Sequence, residues 1–155
     1  MNAPEELANA IQEKLSSVLS TENLHYYFGR IKAVEYPFIN IYFSSLSFDS
    51  IDQARWEDIN ATCVIEYAYA ADTEDDALYE FAEKIRAALL GGFAYTRRDY
   101  KTNIKTDNFE VGIVDGFAQV IFDLNYQIDT AIKMDNDNLD KMENLALDLT
   151  ISENR

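Results

Sequence analysis

Hydrophobic residues recur at helical spacing between Thr73 and Gly92, and this stretch predicts the helix around which the rest of the chain is organised. Its apolar face comprises Leu78, Phe81, Ile85, Ala88 and Leu89, and its polar face comprises Glu80, Glu83, Lys84 and Arg86. Thr73 is the predicted N-cap, and Gly91-Gly92 is the predicted left-handed end. Because a single apolar stripe must be buried against another element, we expect this helix to pack on a β-sheet.

A second amphipathic helix is predicted at the N-terminus, from Pro4 to about Ser20. Its apolar face comprises Leu7, Ile11, Leu15, Val18 and Leu19. The polar residues that follow break the helical period, and residues 24–32 are expected to form a strand. Gly29 predicts a bulge or a bend within that strand.

Alternation of apolar and polar residues predicts three further strands. The first is FINIYF, directly after Pro37. The second runs from Trp56 to Tyr69, with one face made of Ile59, Ala61, Cys63, Ile65, Tyr67 and Tyr69. The third follows a predicted tight turn at Asp115-Gly116, which separates it from another strand-like run before the turn. One face of this third strand is made of Ala118, Val120, Phe122, Leu124, Tyr126 and Ile128. The polar stretch from Ser44 to Arg55 is interpreted as a hairpin arm or a loop.

The end of the chain changes in composition. Residues 133–140, KMDNDNLD, form a polar linker, and Leu145, Leu147, Leu149 and Ile151 then alternate as in a last strand. The expected order is a helix, two or three strands, the central helix, two strands and a terminal strand. This order predicts an α+β fold in which a mostly antiparallel sheet carries two helices packed on one face, plus a C-terminal strand or arm. We expect a core domain of residues 1–132, followed by the acidic linker and arm of residues 133–155.

The chain is strongly acidic, with 28 acidic and 13 basic residues and a net charge of −15. Such a surface is repelled by phosphate groups, which argues against ordinary nucleic-acid binding and against docking on anionic membranes. Two interpretations of the charge remain: solubility, or a surface that lies close to DNA without holding it. The N-terminus lacks the pattern of a signal peptide, and no window of 18 consecutive apolar residues predicts a membrane span.

The residue types that most often carry chemistry are scarce. His25 and Cys63 are the only histidine and cysteine, and there is no GxSxG motif. A hydrolase needs a base beside its nucleophile, so His25 is interpreted as an ordinary sheet or surface residue and Cys63 as a buried structural one. We therefore expect the protein not to be an enzyme.

No metal site or cofactor is predicted. One cysteine and one histidine cannot make a structural zinc site. Asp135, Asp137 and Asp140 resemble a calcium loop superficially, but the sixth position of that loop is Asp140 where glycine is required, and the twelfth is Ala146 where glutamate is required. A solvated acidic linker is the favoured interpretation.

Ten tyrosines, nine phenylalanines and one tryptophan make a surface for partner proteins plausible, because aromatic residues are enriched at interfaces. Three groups of residues are candidates for a subunit or partner interface. The arm group is Leu46, Phe48, Ile51, Arg55 and Trp56. The basic group is Arg97, Arg98, Tyr100 and Lys101, and the tail group is Leu145, Leu147, Leu149 and Ile151. The basic group is compatible with an acidic partner such as another copy of the chain, with nucleic acid, or with a solvated strand end.

Five segments, taken in order, carry a family resemblance: ELANAIQEKL, YPFINIYF, INATCVIEYAYAADTEDDALYEFAEKIRAAL, GFAQVIFDLNYQI and MENLALDLTI. Together they resemble the tail-terminator (tail-completion) proteins of tailed bacteriophages over most of the chain. The resemblance lies in the order and period of the elements. The linker at residues 133–140 is extra, because members of this family are mostly somewhat shorter.

The resemblance implies a structural role without catalysis. Such proteins form a ring, usually a hexamer, on the head-proximal end of the tail tube, where the ring stops tube polymerisation. The implied partners are other copies of the chain, the tail tube protein and the head-tail connector or stopper, and DNA passes through the central hole without specific binding. The implied location is the neck of the virion, assembled in the host cytoplasm.

Three hypotheses connect the residues to this role. The negative charge lines the channel, so that DNA slides without being held. The tail strand at residues 145–151, or the arm from Ser44 to Arg55, pairs with a neighbouring subunit or the tube by strand addition. Arg97, Arg98 and Lys101 contact acidic residues of the next subunit and close the ring.

Other functions remain open. Another neck or tail component, such as a stopper, connector, tube or baseplate subunit, would share most of these features. An acidic inhibitor that imitates DNA needs carboxylates spaced along one helix or strand face, whereas the acids here are distributed over caps, loops and the tail. An enzyme of unknown type and a small-ligand module are weaker alternatives.

Overall fold

Two α-helices and six β-strands make up the part of the chain that this computed structural model describes, residues 3–19, 23–29, 33–51, 56–97 and 100–129. In chain order they are α1 (Ala3–Val18), β1 (His25–Phe28), β2 (Phe38–Ile51), β3 (Trp56–Ala68), α2 (Asp75–Leu89), β4 (Phe93–Arg97), β5 (Tyr100–Val114) and β6 (Phe117–Asp129). The strand order in the sheet is β1-β2-β3-β6-β5-β4. Only β1 and β2 pair in parallel among these strands, so the predicted α+β fold with a mostly antiparallel sheet is confirmed.

The apolar stripe of α2 is buried as predicted and packs on the sheet. Phe81 stacks on Tyr67 of β3 with 3.7 Å between the ring centroids. The prediction of Thr73 as N-cap is wrong, because its hydroxyl accepts from the amide of Ala70 at 2.7 Å and donates to the carbonyl of Ala70 at 2.8 Å. Thr73 thus closes the turn before the helix, and α2 begins two residues later. Gly91 and Gly92 both have positive φ, as expected of a helix end.

The buried stripe of α1 is formed by Leu7, Ile11, Leu15 and Leu19, each spaced by four residues. Val18 was predicted on this face but is 50% exposed, because the last turn of the helix presents only Leu15 and Leu19 to the core. α1 contacts β1 and β2 at one edge of the sheet and β4 at the other. The sheet therefore curls around both helices.

The stretch from Ser44 to Ile51 belongs to β2, so the interpretation as a hairpin arm is correct and the interpretation as a loop is wrong. Phe43 pairs with Cys63, but Ser45 pairs with Thr62, which leaves Ser44 as a β-bulge. The extra residue shifts the alternation, and for this reason the sequence pattern fades there. Beyond the bulge, Leu46 lies on the face that carries Phe43.

The alternating faces of β3 and β6 are confirmed for the residues between 59 and 67 and between 118 and 126. Tyr69 was predicted on the same face, but it lies beyond the end of β3 and is 58% exposed. Asp115 and Gly116 form the predicted tight turn, with φ of 54° and 80°.

Two strand predictions need correction. β1 ends at Phe28, because Gly29 with φ of 85° turns the chain away, and residues 30–32 of the predicted strand lie outside the described ranges. Three strands rather than two follow α2 within the described residues, because the chain before the Asp115-Gly116 turn forms two paired strands, β4 and β5, with Arg97 opposite Tyr100. The predicted linker and terminal strand, residues 133–155, also lie outside the described ranges.

Candidate assembly surfaces

The arm group lies at the far end of the β2–β3 hairpin. Leu46 is half-buried against the core, whereas Phe48, on the same face and two residue pairs further out, is 47% exposed. Ile51 ends β2 opposite Trp56, which is half-buried. Arg55 lies outside the described residues. The hairpin thus carries apolar side chains outward, beyond the part of the sheet that the helices cover.

The basic group lies at the β4–β5 hairpin, on the opposite edge of the sheet. Arg97 and Tyr100 pair through their backbones, and Lys101 is exposed opposite Thr96. Arg98 lies outside the described residues, and the side chains at 97 and 100 are not described. Arg97, Tyr100 and Lys101 lie together on this hairpin, and β6 lies between it and the β2–β3 hairpin in the strand order. The tail group, residues 145–151, is outside the described ranges.

The outer edge of β2 is open along much of its length. β1 pairs only with residues 38–41 of β2, and the last bond on that side runs from the amide of Gly29 to the carbonyl of Ile41 at 3.1 Å. Among the described residues, no strand lies on the outer side of β2 beyond that point. Such an edge presents backbone donors and acceptors to any extended segment that approaches it.

A buried asparagine fixes the point where this edge opens. Asn40 is 2% exposed, and its Nδ2 donates to the carbonyl of Gly29 at 2.8 Å and to the carboxylate of Glu66 at 3.0 Å. These bonds hold the turn at Gly29 against the neighbouring strands. The chain therefore leaves the sheet at this residue and does not continue alongside Tyr42.

A groove of about 500 Å³ lies beside the open edge, between β2 and the first turn of α1. We call it the β2 edge groove, and its apolar lining consists of Pro4, Ala8, Phe28, Ile41, Phe43 and Leu46. Phe28, at one end of this groove, is 46% exposed. The groove thus combines a free backbone edge with an apolar floor in line with β1.

The face of the sheet opposite the helices, here the helix-free face, carries a network of polar side chains. Asn125 donates to the carboxylate of Asp58 at 2.9 Å and to the side-chain oxygen of Asn60 at 2.8 Å. The carboxylate of Asp123 accepts from the hydroxyl of Thr62 and from the amide of Asn108, each at 2.9 Å. A shallow depression of about 410 Å³ lies over these residues.

Two pairs of aspartates face each other directly across neighbouring strands of this face. Asp49 lies opposite Asp58, and Asp107 lies opposite Asp123. Like charges in such positions cost stability, and the surrounding amides and hydroxyl offset part of that cost. The register also places Glu66 and Glu110 on this face. Six of the 28 acidic residues therefore share one sheet face, a grouping that the expectation of acids distributed over caps, loops and the tail did not include.

Lys101 and Lys105 are the basic residues that the register places on the helix-free face within the described residues. Six carboxylates whose side chains the structure describes thus outnumber two ammonium groups there. The sequence contained a signal for this surface, because Asn60, Thr62, Asp123 and Asn125 occupy the polar positions of their alternating strands. The sequence does not show that these residues meet, because their meeting depends on the β3–β6 register.

His25 and Cys63 occupy the structural positions predicted for them. The His25 Nδ1 lies 3.2 Å from the carbonyl of Pro37, and its Nε2 lies 3.2 Å from the carboxylate of Glu35. Nδ1 donates in this arrangement, so the ring joins β1 to the chain that enters β2. Cys63 is fully buried in the core, and burial raises the pKa of its thiol well above the ordinary range. A thiol in this environment stays protonated and is a poor nucleophile.

No group of three or more histidine, cysteine, aspartate or glutamate side chains within the described ranges could hold a metal ion. The acidic residues Asp135, Asp137 and Asp140 are outside those ranges. Among the helices that the structure describes, none has the length and apolar character to cross a membrane.

No family model and no curated protein matches the chain. Among solved structures, a chain from the virion of a native gene transfer agent (GTA) particle is 11% identical, with a TM-score of 0.47, and the match covers 79% of this chain and 94% of that one. A second chain, which carries no descriptive name, is 13% identical with a TM-score of 0.45, covering 79% of this chain and 93% of that one. Similarities at these levels do not assign a function to this chain.

Proposed function

We propose that the chain is a non-catalytic structural protein of a tailed-phage-type virion, and more closely a tail terminator that forms a ring on the tail tube. The observation that carries the proposal is the order of elements. The N-terminal helix, the long strand that leads into α2 and the strand after the Asp115-Gly116 turn are the elements on which the family resemblance depends. These elements are present in the structure in the order on which the resemblance is based, which supports the proposal.

The surfaces support assembly as the role of this fold. The β2 edge groove offers a backbone edge with an apolar floor, and the β4–β5 hairpin offers basic residues at the other edge of the same sheet. Two different surfaces at opposite edges are suited to head-to-tail contacts, and such contacts generate a ring when the rotation closes.

The acidic helix-free face supports the passage of DNA. In the proposed ring this face lines the channel, where six carboxylates against two lysines repel the phosphate backbone. The like-charge pairs Asp49–Asp58 and Asp107–Asp123 cost stability, so a functional need for charge accounts for their presence.

Native mass spectrometry and negative-stain electron microscopy of the purified chain test the proposal. We expect a six-fold ring, or a monomer that becomes a ring when isolated tail tubes are added. On those tubes, the ring is expected at one end only and should stop further addition of tube protein. A chain that stays monomeric with tubes, or that coats their length, would overturn the terminator role. A ring found instead at the baseplate end or within the connector would favour another tail or neck component.

Reversing charge on the helix-free face is expected to make the protein retain DNA. The exposed pair Asp49→Lys and Glu110→Lys adds cations to this face, whereas Asp72→Lys and Glu80→Lys add the same charge elsewhere on the exposed surface. Fluorescence anisotropy with duplex DNA at low salt should show binding at least about tenfold tighter for the first pair than for the second. Equal binding by both variants would mean that net charge, and not this face, keeps DNA from binding.

An acidic inhibitor that imitates DNA is a second candidate, favoured by the same gathering of carboxylates on a strand face. Its target would be a DNA-binding protein such as a nuclease or repressor. A monomer that competes with duplex DNA for such a protein, and loses this activity with Asp49→Lys and Glu110→Lys, would support it over the ring.

A further inference from the structure

The β2 edge groove has room for one more strand. Beyond Ile41 the outer edge of β2 continues past the bulge at Ser44 with no described strand beside it, and the groove floor is apolar. An extended segment placed there would continue the line of β1. Every second residue of such a segment would have to be apolar, to contact the groove floor. The residues between them would have to be polar, because they would lie on the helix-free face beside Ser45.

One segment of this chain has that pattern. Leu145, Leu147, Leu149 and Ile151 alternate with Ala146, Asp148 and Thr150. Seven residues extend over about 23 Å in a strand, which matches the length of β2 from Tyr42 to Phe48. The leucines would face the groove floor, and the residues between them would face the side on which Ser45 and Ser47 lie.

The length and charge of the connection favour a groove on another copy of the chain. β6 ends at Asp129 opposite Trp56, and Trp56 lies opposite Ile51, so a strand added to β2 of the same copy lies only about 15 Å across the sheet. Residues 130–144 can span about 50 Å, which is much more than that crossing requires. They contain four acids, Asp135, Asp137, Asp140 and Glu143, against Lys133 and Lys141, and this net charge of −2 favours an extended linker.

We infer that residues 145–151 of one copy add as a strand to the β2 edge groove of the next copy. The inference rests on the proposed function, because it names the contact that joins neighbouring subunits of the ring. Backbone bonds along β2 supply affinity, and insertion of the leucines into the apolar floor sets the register.

Disulfide trapping between two singly substituted proteins tests this contact. One protein carries Ser45→Cys, and the other carries Ala146→Cys, Asp148→Cys or Thr150→Cys, so that the three outward positions cover the possible registers. The buried Cys63 does not compete for oxidation. After mixing and mild oxidation, mass spectrometry should find a linked dimer that contains one chain of each kind.

The matched control replaces Ser45→Cys with Ser16→Cys, an exposed serine more than two turns along α1 from the groove. It should give no preferred link to any tail position. Absence of a mixed dimer at all three positions would overturn the inference. So would a link that forms only within one chain, in a protein that carries both cysteines, because the tail would then fill its own groove.

A second measurement uses substitutions in the tail segment itself. Leu147→Asp with Leu149→Asp should weaken self-association at least about tenfold in sedimentation, because two apolar side chains leave the groove. The control, Ala146→Asp with Thr150→Asp, adds the same charge on the outward side and should have a smaller effect. Equal association of both variants and the unsubstituted chain would contradict the inference.

The two proposals can fail separately. If a ring persists with Leu147→Asp and Leu149→Asp, the proposed tail contact is wrong, whereas the proposed terminator role is unaffected. The chain could instead give a mixed disulfide dimer but never form a ring, alone or on tail tubes. That result would support the tail contact between copies and contradict the terminator role.

Discussion

Replacing Gly92 with alanine is expected to lower the free energy of unfolding by at least about 3 kcal/mol. Gly92 has φ of 88°, in the left-handed region that disfavours side chains. A Cβ at this position would overlap the backbone carbonyl oxygen of Ile104 in β5. Backbone cannot rotate away as a flexible side chain can, so β4 would have to shift from its pairing with β5. Urea unfolding followed by circular dichroism measures the loss.

Gly91 provides the matched control for this variant. Its φ of 83° is nearly the same, but a Cβ there would meet no atom within 4 Å. Gly91→Ala should therefore cost only the left-handed strain, about 1 to 2 kcal/mol. The difference between the two variants measures the clash with β5. Equal losses would mean that the turn relaxes, and that the close approach of α2's end to β5 is not a fixed feature of the fold.

The elements that the sequence predicts best are those whose pattern depends only on their own neighbours. The stripe of α2 and the alternation in β3 and β6 report burial on one side, and the turn at Asp115-Gly116 depends on two adjacent residues. Burial of one face is enough to determine the type of each element. The fold class followed, because an amphipathic helix next to half-buried strands can bury its stripe only on the sheet they form.

The candidate site was less predictable, because it depends on pairing between distant strands. The bulge at Ser44 shifts the alternation of β2, which made half of a long strand look like a polar loop. The open edge exists because β1 ends at Phe28, and no local pattern predicts that this short strand pairs in parallel with β2. The start of α2 was also not predictable from its local pattern. The hydroxyl of Thr73 is already bonded to the backbone of Ala70 and therefore does not cap the helix.

The acidic helix-free face shows that strand register determines which charged residues lie next to each other, which composition alone does not reveal. Asp49 and Asp58 are nine positions apart in the chain, and Asp107 and Asp123 are sixteen apart, yet each pair lies directly across two strands. Net charge alone allowed either solubility or a surface adapted to DNA. The proposed channel surface corresponds to the second interpretation, and it depends on these acids sharing one sheet face with amide donors between them.

Replacing Phe122 with alanine is expected to lower the free energy of unfolding by about 3 to 5 kcal/mol. Phe122 is fully buried on central strand β6, on the side of the sheet that α2 covers. Its ring stacks on Phe109 of β5 with 5.1 Å between centroids. Truncation removes that contact and leaves a cavity that helix and sheet can fill only in part. Thermal and urea unfolding should both report the loss, with little change in the dependence on urea concentration.

Phe48→Ala makes the same chemical change on the arm. It tests whether this phenylalanine contributes to the stability of the fold or to assembly. Phe48 is 47% exposed near the end of the β2–β3 hairpin, so its truncation should cost less than about 1 kcal/mol. If Phe48→Ala destabilised the chain as much as Phe122→Ala, the arm would belong to the core and could not be reserved for a partner. A small loss of stability together with weaker ring formation would instead identify the arm as an interface. The fold would then divide its apolar residues between two tasks, with the helix-covered centre supplying stability and the outer hairpin supplying contacts between copies.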